Sequence, residues 1–249
     1  SFMERQVDEA GVDEAVIALS GGIDSTLTAH LAVEALGPDA VYGLVMPSEV
    51  NRDENMSDAE RVADELLEIE HDVIAVGPLV ESFLDAAPEA MIDTDRQQVT
   101  VGNLRARIRA VLNYIAANGR NALVLGTGNR SEALAGYFTK YGDGAVDCHP
   151  IAPLYKQQVR QLARRVGVPE DLAAKTASAE LWADQTDEGE LGMDYDTLDS
   201  ILALHVDGPL SESATAGELG IDATTVEQVR RLYERSEHKR QTPPGPAPL

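Results

Sequence analysis

The chain has 249 residues, 43% of them apolar, enough to bury the core of one large α/β unit or two small ones. Its 43 acidic residues face only 20 basic ones, a net charge of −23. That sign excludes non-specific attraction to nucleic acid or to anionic membrane surfaces, and it fits a protein kept soluble in high salt.

The lone cysteine, Cys148, excludes an internal disulfide and a cysteine-based zinc cluster, and reads as a small buried filler. The first ten residues hold no apolar stretch of signal-peptide type, and no apolar run approaches a membrane span. The expectation is a cytoplasmic protein without a membrane partner.

The predicted elements alternate. A strand over residues 15–19 runs into Ser20-Gly21-Gly22-Ile23-Asp24-Ser25, after which Leu27, Leu31 and Ala35 recur with helical spacing until Gly37-Pro38. A strand over 41–46, a polar loop over 47–55 and a helix over 57–67 follow. Next come a strand over 72–76, a short helix over 79–86 and a long helix over 99–118. Leu104, Ile108, Leu112 and Ile115 share one face of the long helix, and Gly119 ends it. A strand over 122–125 enters Gly126-Thr127-Gly128-Asn129-Arg130-Ser131-Glu132. Residues 137–155 read as a long irregular stretch, which in a compact unit is functional or mobile. Helices over 156–166, 195–204 and 224–236 complete the pattern, with 174–192 irregular and a proline-rich, flexible tail over 241–249.

Short apolar strands separated by helices predict an α/β fold: a doubly wound parallel sheet, with a C-terminal helical segment, as a single unit over 1–240. In the common 3-2-1-4 strand order, the exits after Leu19 and Leu125 adjoin and face one crevice.

The first exit has the makings of an anion cradle. Gly21 and Gly22 let backbone approach a ligand, Ser20 and Ser25 bring hydroxyls, and the helix start brings unpaired N–H groups and positive charge. No lysine stands inside it, so it is not a Walker A loop. Asp24 beside a phosphate makes sense where Mg²⁺ bridges the two; an ordinary N-cap is the competing reading. Glu132 supplies a second carboxylate at the neighbouring exit, and Asp143 between glycines a third, although a helix start and an Asx turn account for each separately. Only four lysines occur: Lys140, Lys156, Lys175 and Lys239. A compact charge on a flexible stem suits a phosphate.

Ser20–Ser25 resembles the pyrophosphate loop of the N-type ATP pyrophosphatases. More specifically, the chain resembles the ammonia-dependent NAD synthetases, through Asn103-Leu-Arg-Ala-Arg107, Gly126–Glu132, Gly136-Tyr-Phe-Thr-Lys-Tyr-Gly-Asp-Gly144, Leu154-Tyr-Lys156, Leu181-Trp182, residues 185–192 and Glu237-His-Lys-Arg240. The resemblance implies that ATP adenylates the carboxylate of deamido-NAD and that ammonia then displaces AMP. It implies ATP contacts at Ala18, Leu19, Ser20, Gly21, Gly22, Ile23, Asp24, Ser25, Thr127, Lys156 and Ser178. It places Mg²⁺ on Asp24 and Glu132, with Asp143 for another, and makes Asp24, Lys156 and Ser178 the catalytic set. Arg107, Tyr137, Lys140, Asp147, His238 and Lys239 would contact deamido-NAD, leaving Lys175 without a role. Family members are homodimers, and the absence of an amidase segment points to free ammonia.

Two departures stand out. Ala177 replaces a usual proline, and residues 48–55 match poorly, so the ribose and adenine contacts stay unassigned. The rival readings are an enzyme of the same class that adenylates another carboxylate, and a non-catalytic adenine-nucleotide sensor.

Overall fold

The computed structural model describes residues 1–49, 53–92, 94–178, 181–182 and 185–246, with the side chains of 53–55 left aside. Its strands are β1 (Glu14–Leu19), β2 (Val41–Val45), β3 (Glu70–Val73) and β4 (Ala122–Leu125). They form one parallel sheet in the order β3-β2-β1-β4, so the predicted order holds. β1 is central, and Ala15, Val16 and Ile17 are fully buried because helices cover both faces of the sheet.

Alternation along β1 assigns the two faces. Ala15, Ile17 and Leu19 join a core with Leu27 of α2 (Ile23–Leu36), Ala59 of α3 (Asp53–Arg61) and Val159 of α8 (Lys156–Arg165). Val16 joins Leu44, Val80 of α4 (Gly77–Ala86) and Ile108 of α6 (Gln97–Arg120) on the other face. A third apolar cluster holds the C-terminal helices together. It joins Leu134 of α7 (Arg130–Ala135), Leu191 of α10 (Asp187–Leu191), Leu198 of α11 (Tyr195–Ile201), Ala216 of α12 (Glu212–Leu219) and Val229 of α13 (Ala223–Arg235). The chain also has α1 (Phe2–Ala10), α5 (Glu89–Ile92), α9 (Glu170–Ala173) and α14 (Glu237–Arg240). Among the described residues no helix is long and apolar enough to cross a membrane.

Several expectations need correction. β3 starts at Glu70 rather than 72, although Ile74 and Val76 still donate to the Val45 and Pro47 carbonyls. Its Glu70 and Asp72 point to solvent and pair with Arg120 and Tyr42, so this edge strand carries no apolar run to read. The helix expected over 57–67 begins at Asp53 and closes in a π-turn over Val62–Leu66, and another π-turn over Leu202–Val206 follows α11. The start of α3 therefore overlaps the loop expected over 47–55, of which residues 50–52 lie outside the described residues. α6 runs through Gly119 and stops at Asn121, which takes the left-handed cap (φ 53°). α10 lies inside the stretch read as irregular, opened by the Thr186 side chain accepting from the Gly189 N–H.

The expected face of α6 holds for Leu104, Ile108 and Leu112, which join the core on that side of the sheet, but not for Ile115. Ile115 is 63% exposed, and the small or polar residues Gly102, Ala106, Ala110, Asn113 and Ala117 are buried beside Ile108. Bulky residues mark the flank beside α4, and small ones mark the side where the helix approaches the cavity.

Cys148 is buried and free, as expected. Residues 137–155 form no helix. Instead the stretch returns beside β4, with Cys148 bridging Leu125 and its carbonyl accepting from the Gly126 N–H at 2.8 Å. Gln241 to Pro246 are exposed coil, and 247–249 lie outside the described residues.

Candidate active site

The turn after β1 is folded on itself. Gly21 takes φ +71°, open to glycine without strain, and carries the chain from strand into helix. The Ser25 and Thr26 hydroxyls donate to the Gly22 carbonyl at 3.0 and 2.9 Å, and the Ser20 N–H reaches Ser25 Oγ at 3.3 Å. Gly22, the N-cap of α2, has no side chain to accept from the first helical N–H groups. Those donors therefore face the cavity.

The turn after β4 is organised by Asn129. Its side chain accepts from the Glu132 N–H at 3.0 Å while Glu132 Oε2 accepts from the Asn129 N–H at 3.3 Å, a capping box that opens α7. Asn129 Nδ2 then donates to Asp24 Oδ1 at 2.8 Å and ties the two turns together.

Lys156 closes the arrangement. The first residue of α8, it is 2% exposed, and its Nζ donates to Asp24 Oδ2 at 2.5 Å and Glu132 Oε1 at 3.1 Å. The Tyr195 ring lies 5.1 Å away, and the Tyr195 hydroxyl donates to Asp187 at 2.9 Å. Burial by itself would lower the Lys156 pKa, but the facing carboxylates outweigh it and hold the ammonium charged. Burial raises Glu132 to about 7 against the pull of that ammonium. The Lys156 N–H is held by Ser131 Oγ, whose hydroxyl donates to Asp199, so buried polar partners fix the start of α8.

These groups open into a cavity of about 380 Å³, within the range of small-molecule sites. Ala18, Leu19, Ser20, Gly22, Ile23, Asp24, Ser25, Thr127, Glu132, Asp143, Lys156 and Ser178 all line it, and Gly21 is buried behind the turn. Tyr137 and Lys239 line it too. Tyr137 donates to Glu190 at 2.6 Å, and Lys239 to the Gly136 and Phe138 carbonyls at 2.7 and 2.8 Å. Arg107, Lys140, Asp147 and His238 are not in the lining. Arg107 Nη2 donates to the Lys140 carbonyl at 3.3 Å, Lys140 Nζ donates to the His238 carbonyl, and Asp147 accepts from the Val124 N–H and the Tyr114 hydroxyl. Asp143 accepts from the Thr139 N–H at 2.9 Å and stands apart from the Asp24–Glu132 pair: among the described residues no three potential ligands converge.

Sequence reasoning missed three participants. Lys175 lines the cavity and pairs with Asp58. Gln185 is buried, with Oε1 accepting from the Leu181 N–H at 2.7 Å and Nε2 donating to Glu190 at 2.9 Å. Asn129 stood inside a quoted motif, yet its link to Asp24 spans 105 positions and has no local signature.

Asp24 and Glu132 fit a hard divalent cation. Each carboxylate oxygen has one donor from Asn129 or Lys156, which leaves lone pairs turned to the cavity.

A parallel sheet with two hydrogen-bonded turns and a buried lysine at its carboxyl edge belongs to the doubly wound, Rossmann-like class. The sequence model described as NAD synthase matches residues 1–243. The NH(3)-dependent NAD(+) synthetase of Halobacterium salinarum is 60% identical over 246 residues, 99% of this chain and 90% of that one. The NMN synthetase of Francisella tularensis superposes with a TM-score of 0.82 at 35% identity, over 98% of this chain and 97% of the other. The NH3-dependent NAD synthetase of Campylobacter jejuni, solved with a nitrate ion, has a TM-score of 0.80 at 28% identity, over 99% and 94% of the two chains. The chain belongs to the NAD synthase family.

Proposed function

We propose that the chain is a ligase that amidates deamido-NAD with ammonia, at the expense of ATP, to give NAD, AMP and pyrophosphate. The observation that carries this reading is the convergence of the β1 and β4 turns on Lys156 inside one cavity. A carboxylate oxygen of deamido-NAD attacks the α-phosphorus of ATP and pyrophosphate leaves. Ammonia then adds to the acyl carbon and AMP departs.

The roles rest on the family resemblance, supported by which residues line the cavity. The 18–25 turn and Thr127 hold ATP, its N–H groups and hydroxyls meeting the phosphates. Lys156 and Ser178 stabilise the charge that builds as pyrophosphate leaves. Asp24 and Glu132 would hold Mg²⁺, with Asp143 at a separate position. Bound there, the ion supplies charge neutralisation to the phosphates. Tyr137 and Lys239, which line the cavity, form the deamido-NAD side, and by the family resemblance Arg107, Lys140, Asp147 and His238 extend it outside the lining. Catalysis by positioning and charge needs no protein nucleophile.

The active form is a homodimer. Leu79 and Phe83 on α4, and Val111 and Ile115 on α6, are exposed i, i+4 apolar pairs on two helices that pack together, a surface that suits a second copy.

The test is pyrophosphate release with ATP, Mg²⁺ and ammonium, with deamido-NAD, with nicotinate mononucleotide, or with neither. Release that needs deamido-NAD and yields NAD supports the proposal. A preference for the mononucleotide, the acid corresponding to the name of the Francisella relative, would replace the substrate. Release indifferent to both would point to another carboxylate, and no release to a sensor.

A further inference from the structure

Helix α8 opens on Lys156, yet its own N-cap does not hold the first turn. Tyr155 makes no side-chain bond to that turn, and its hydroxyl donates to Asp207 instead. The free N–H groups of Lys156 and Gln157 therefore take acceptors from distant parts of the chain. The Lys156 N–H donates to Ser131 Oγ at 2.9 Å, and the Gln157 N–H donates to Asp199 Oδ2 at 2.9 Å. Ser131 Oγ in turn donates to Asp199 Oδ1. One carboxylate on α11 thus serves both donors, Gln157 directly and Lys156 through Ser131, across 42 positions to Gln157 and 68 to Ser131.

The group is shut away from solvent: Asp199 is 7% exposed and Ser131 is fully buried. Burial raises the Asp199 pKa, while the Ser131 hydroxyl, the Gln157 N–H and the Lys156 charge pull against it. The positive end of α8 adds to that pull. Tyr195 stands one turn earlier on α11, fully buried, with its ring 5.1 Å from Lys156 Nζ. So α11 meets Lys156 at both ends, with a ring at the ammonium and a carboxylate at the backbone. Neither Asp199 nor Ser131 lines the cavity, so neither touches what binds there.

We propose that Asp199 is a positioning residue: through Ser131 and the Gln157 N–H it fixes the first turn of α8, and with it the aim of the Lys156 ammonium at the phosphates of ATP. The inference rests on the amidation reading above, in which Lys156 steadies the departing pyrophosphate. A lysine stem is flexible, so its ammonium is placed only as well as the backbone beneath it. Misplacement by about 1 Å at a reacting centre costs about 100-fold in rate.

The experiment is a double-mutant cycle on NAD formation, with Asp199→Leu made in wild type and in Lys156→Met. In wild type, Asp199→Leu is expected to lower kcat about 100-fold, with KM for deamido-NAD and for ammonium held within about twofold. Asp199→Asn keeps one acceptor and should recover about tenfold of that loss. In the Lys156→Met background, Asp199→Leu should cost less than about threefold, because the group it positions is already gone. Equal losses in the two backgrounds overturn the proposal, as does a raised KM for deamido-NAD with kcat unchanged. Should Asp199→Leu fail to fold, Ser131→Ala removes only the acceptor of the Lys156 N–H. It must then lower kcat about tenfold in wild type and not in Lys156→Met, and the same loss in both overturns the proposal. A wild type that makes no NAD removes the amidation reading. Calorimetry with inorganic pyrophosphate and Mg²⁺ then decides the positioning role by itself. Pyrophosphate should bind about tenfold more weakly to Asp199→Leu than to wild type, and equally to Lys156→Met with or without it. An unchanged Kd in Asp199→Leu overturns the proposal.

Discussion

Lys156 Nζ lies 2.5 Å from Asp24 Oδ2, although 132 positions separate the two residues. The contact makes the β1 turn, the β4 turn and the start of α8 one unit, since the same ammonium also reaches Glu132 and Asn129 bridges from the other side.

Lys156→Met leaves two mostly buried carboxylates without their countercharge. Removing one partner of a buried pair costs about 3–5 kcal/mol, and losing one charge stabiliser at a reacting centre costs about 100- to 1,000-fold in kcat. Denaturant unfolding and steady-state NAD formation measure the two effects. Wild-type turnover in this variant would remove Lys156 from the chemistry.

Asp24→Asn keeps an acceptor for Asn129 but loses the charge that a cation needs. Turnover is expected to fall about 100-fold or more while the thermal transition stays within a few degrees. Chelation of Mg²⁺ should likewise stop turnover and leave the fold standing, and Asp24→Asn should need more Mg²⁺ for half-activation. Unchanged kcat, or indifference to chelator, would dismiss the metal role.

Arg130 grips both oxygens of Asp207, and the Tyr155 hydroxyl donates to the same carboxylate, which fastens the end of the second π-turn to the start of α7. Burial opposes ionisation of Asp207, but Arg130 and Tyr155 outweigh it and hold its pKa below the ordinary 3.8. The folded state therefore favours the charged form. Its stabilisation is present above pH 3.8 and is lost as pH falls through the lower folded value. Wild type should lose its margin over Asp207→Asn as the pH is taken from about 6 to about 3. A constant margin in urea midpoints would contradict this.

A net charge of −23 repels itself, and salt screens it. Between 0.1 and 1 M salt the screening length falls from about 10 to about 3 Å. The melting temperature should rise across that range in KCl. A flat or falling profile would mean that the acidic surface is not a salt adaptation.

Phe83→Asp and Ile115→Asp place charge on the exposed apolar pairs of α4 and α6, where Phe83 is 58% exposed. Light scattering should show a dimer for wild type and a monomer for the double variant, with the monomer still folded by circular dichroism. A double variant that remains dimeric places the interface elsewhere.

Much of this molecule was legible in one dimension. β1 and β4 could be placed because each is a continuous apolar run, buried along most of β1 and at the end of β4, and both end in glycine-rich turns. β3 resisted because an edge strand with charged residues on it has no such run. The cavity side of α6 resisted for the opposite reason. Apolar bulk marks where a helix packs, whereas close approach to a cavity is marked by Ala106, Ala110 and Asn113, which no hydrophobic pattern singles out.

By itself the sequence determined what short-range chemistry can write: alternating strands and helices, a phosphate-sized glycine turn, a pair of acids at two strand exits, and the scarcity of lysine. Only the tertiary structure decided which lysine those acids surround, that Asn129 stitches the turns, and that Lys175 lines the cavity while Arg107 and His238 lie outside its lining. The physical reason is range. Turn and helix preferences act over a few residues, but a buried charge finds its partner through the folding of the whole sheet, which brings together positions that nothing along the chain connects.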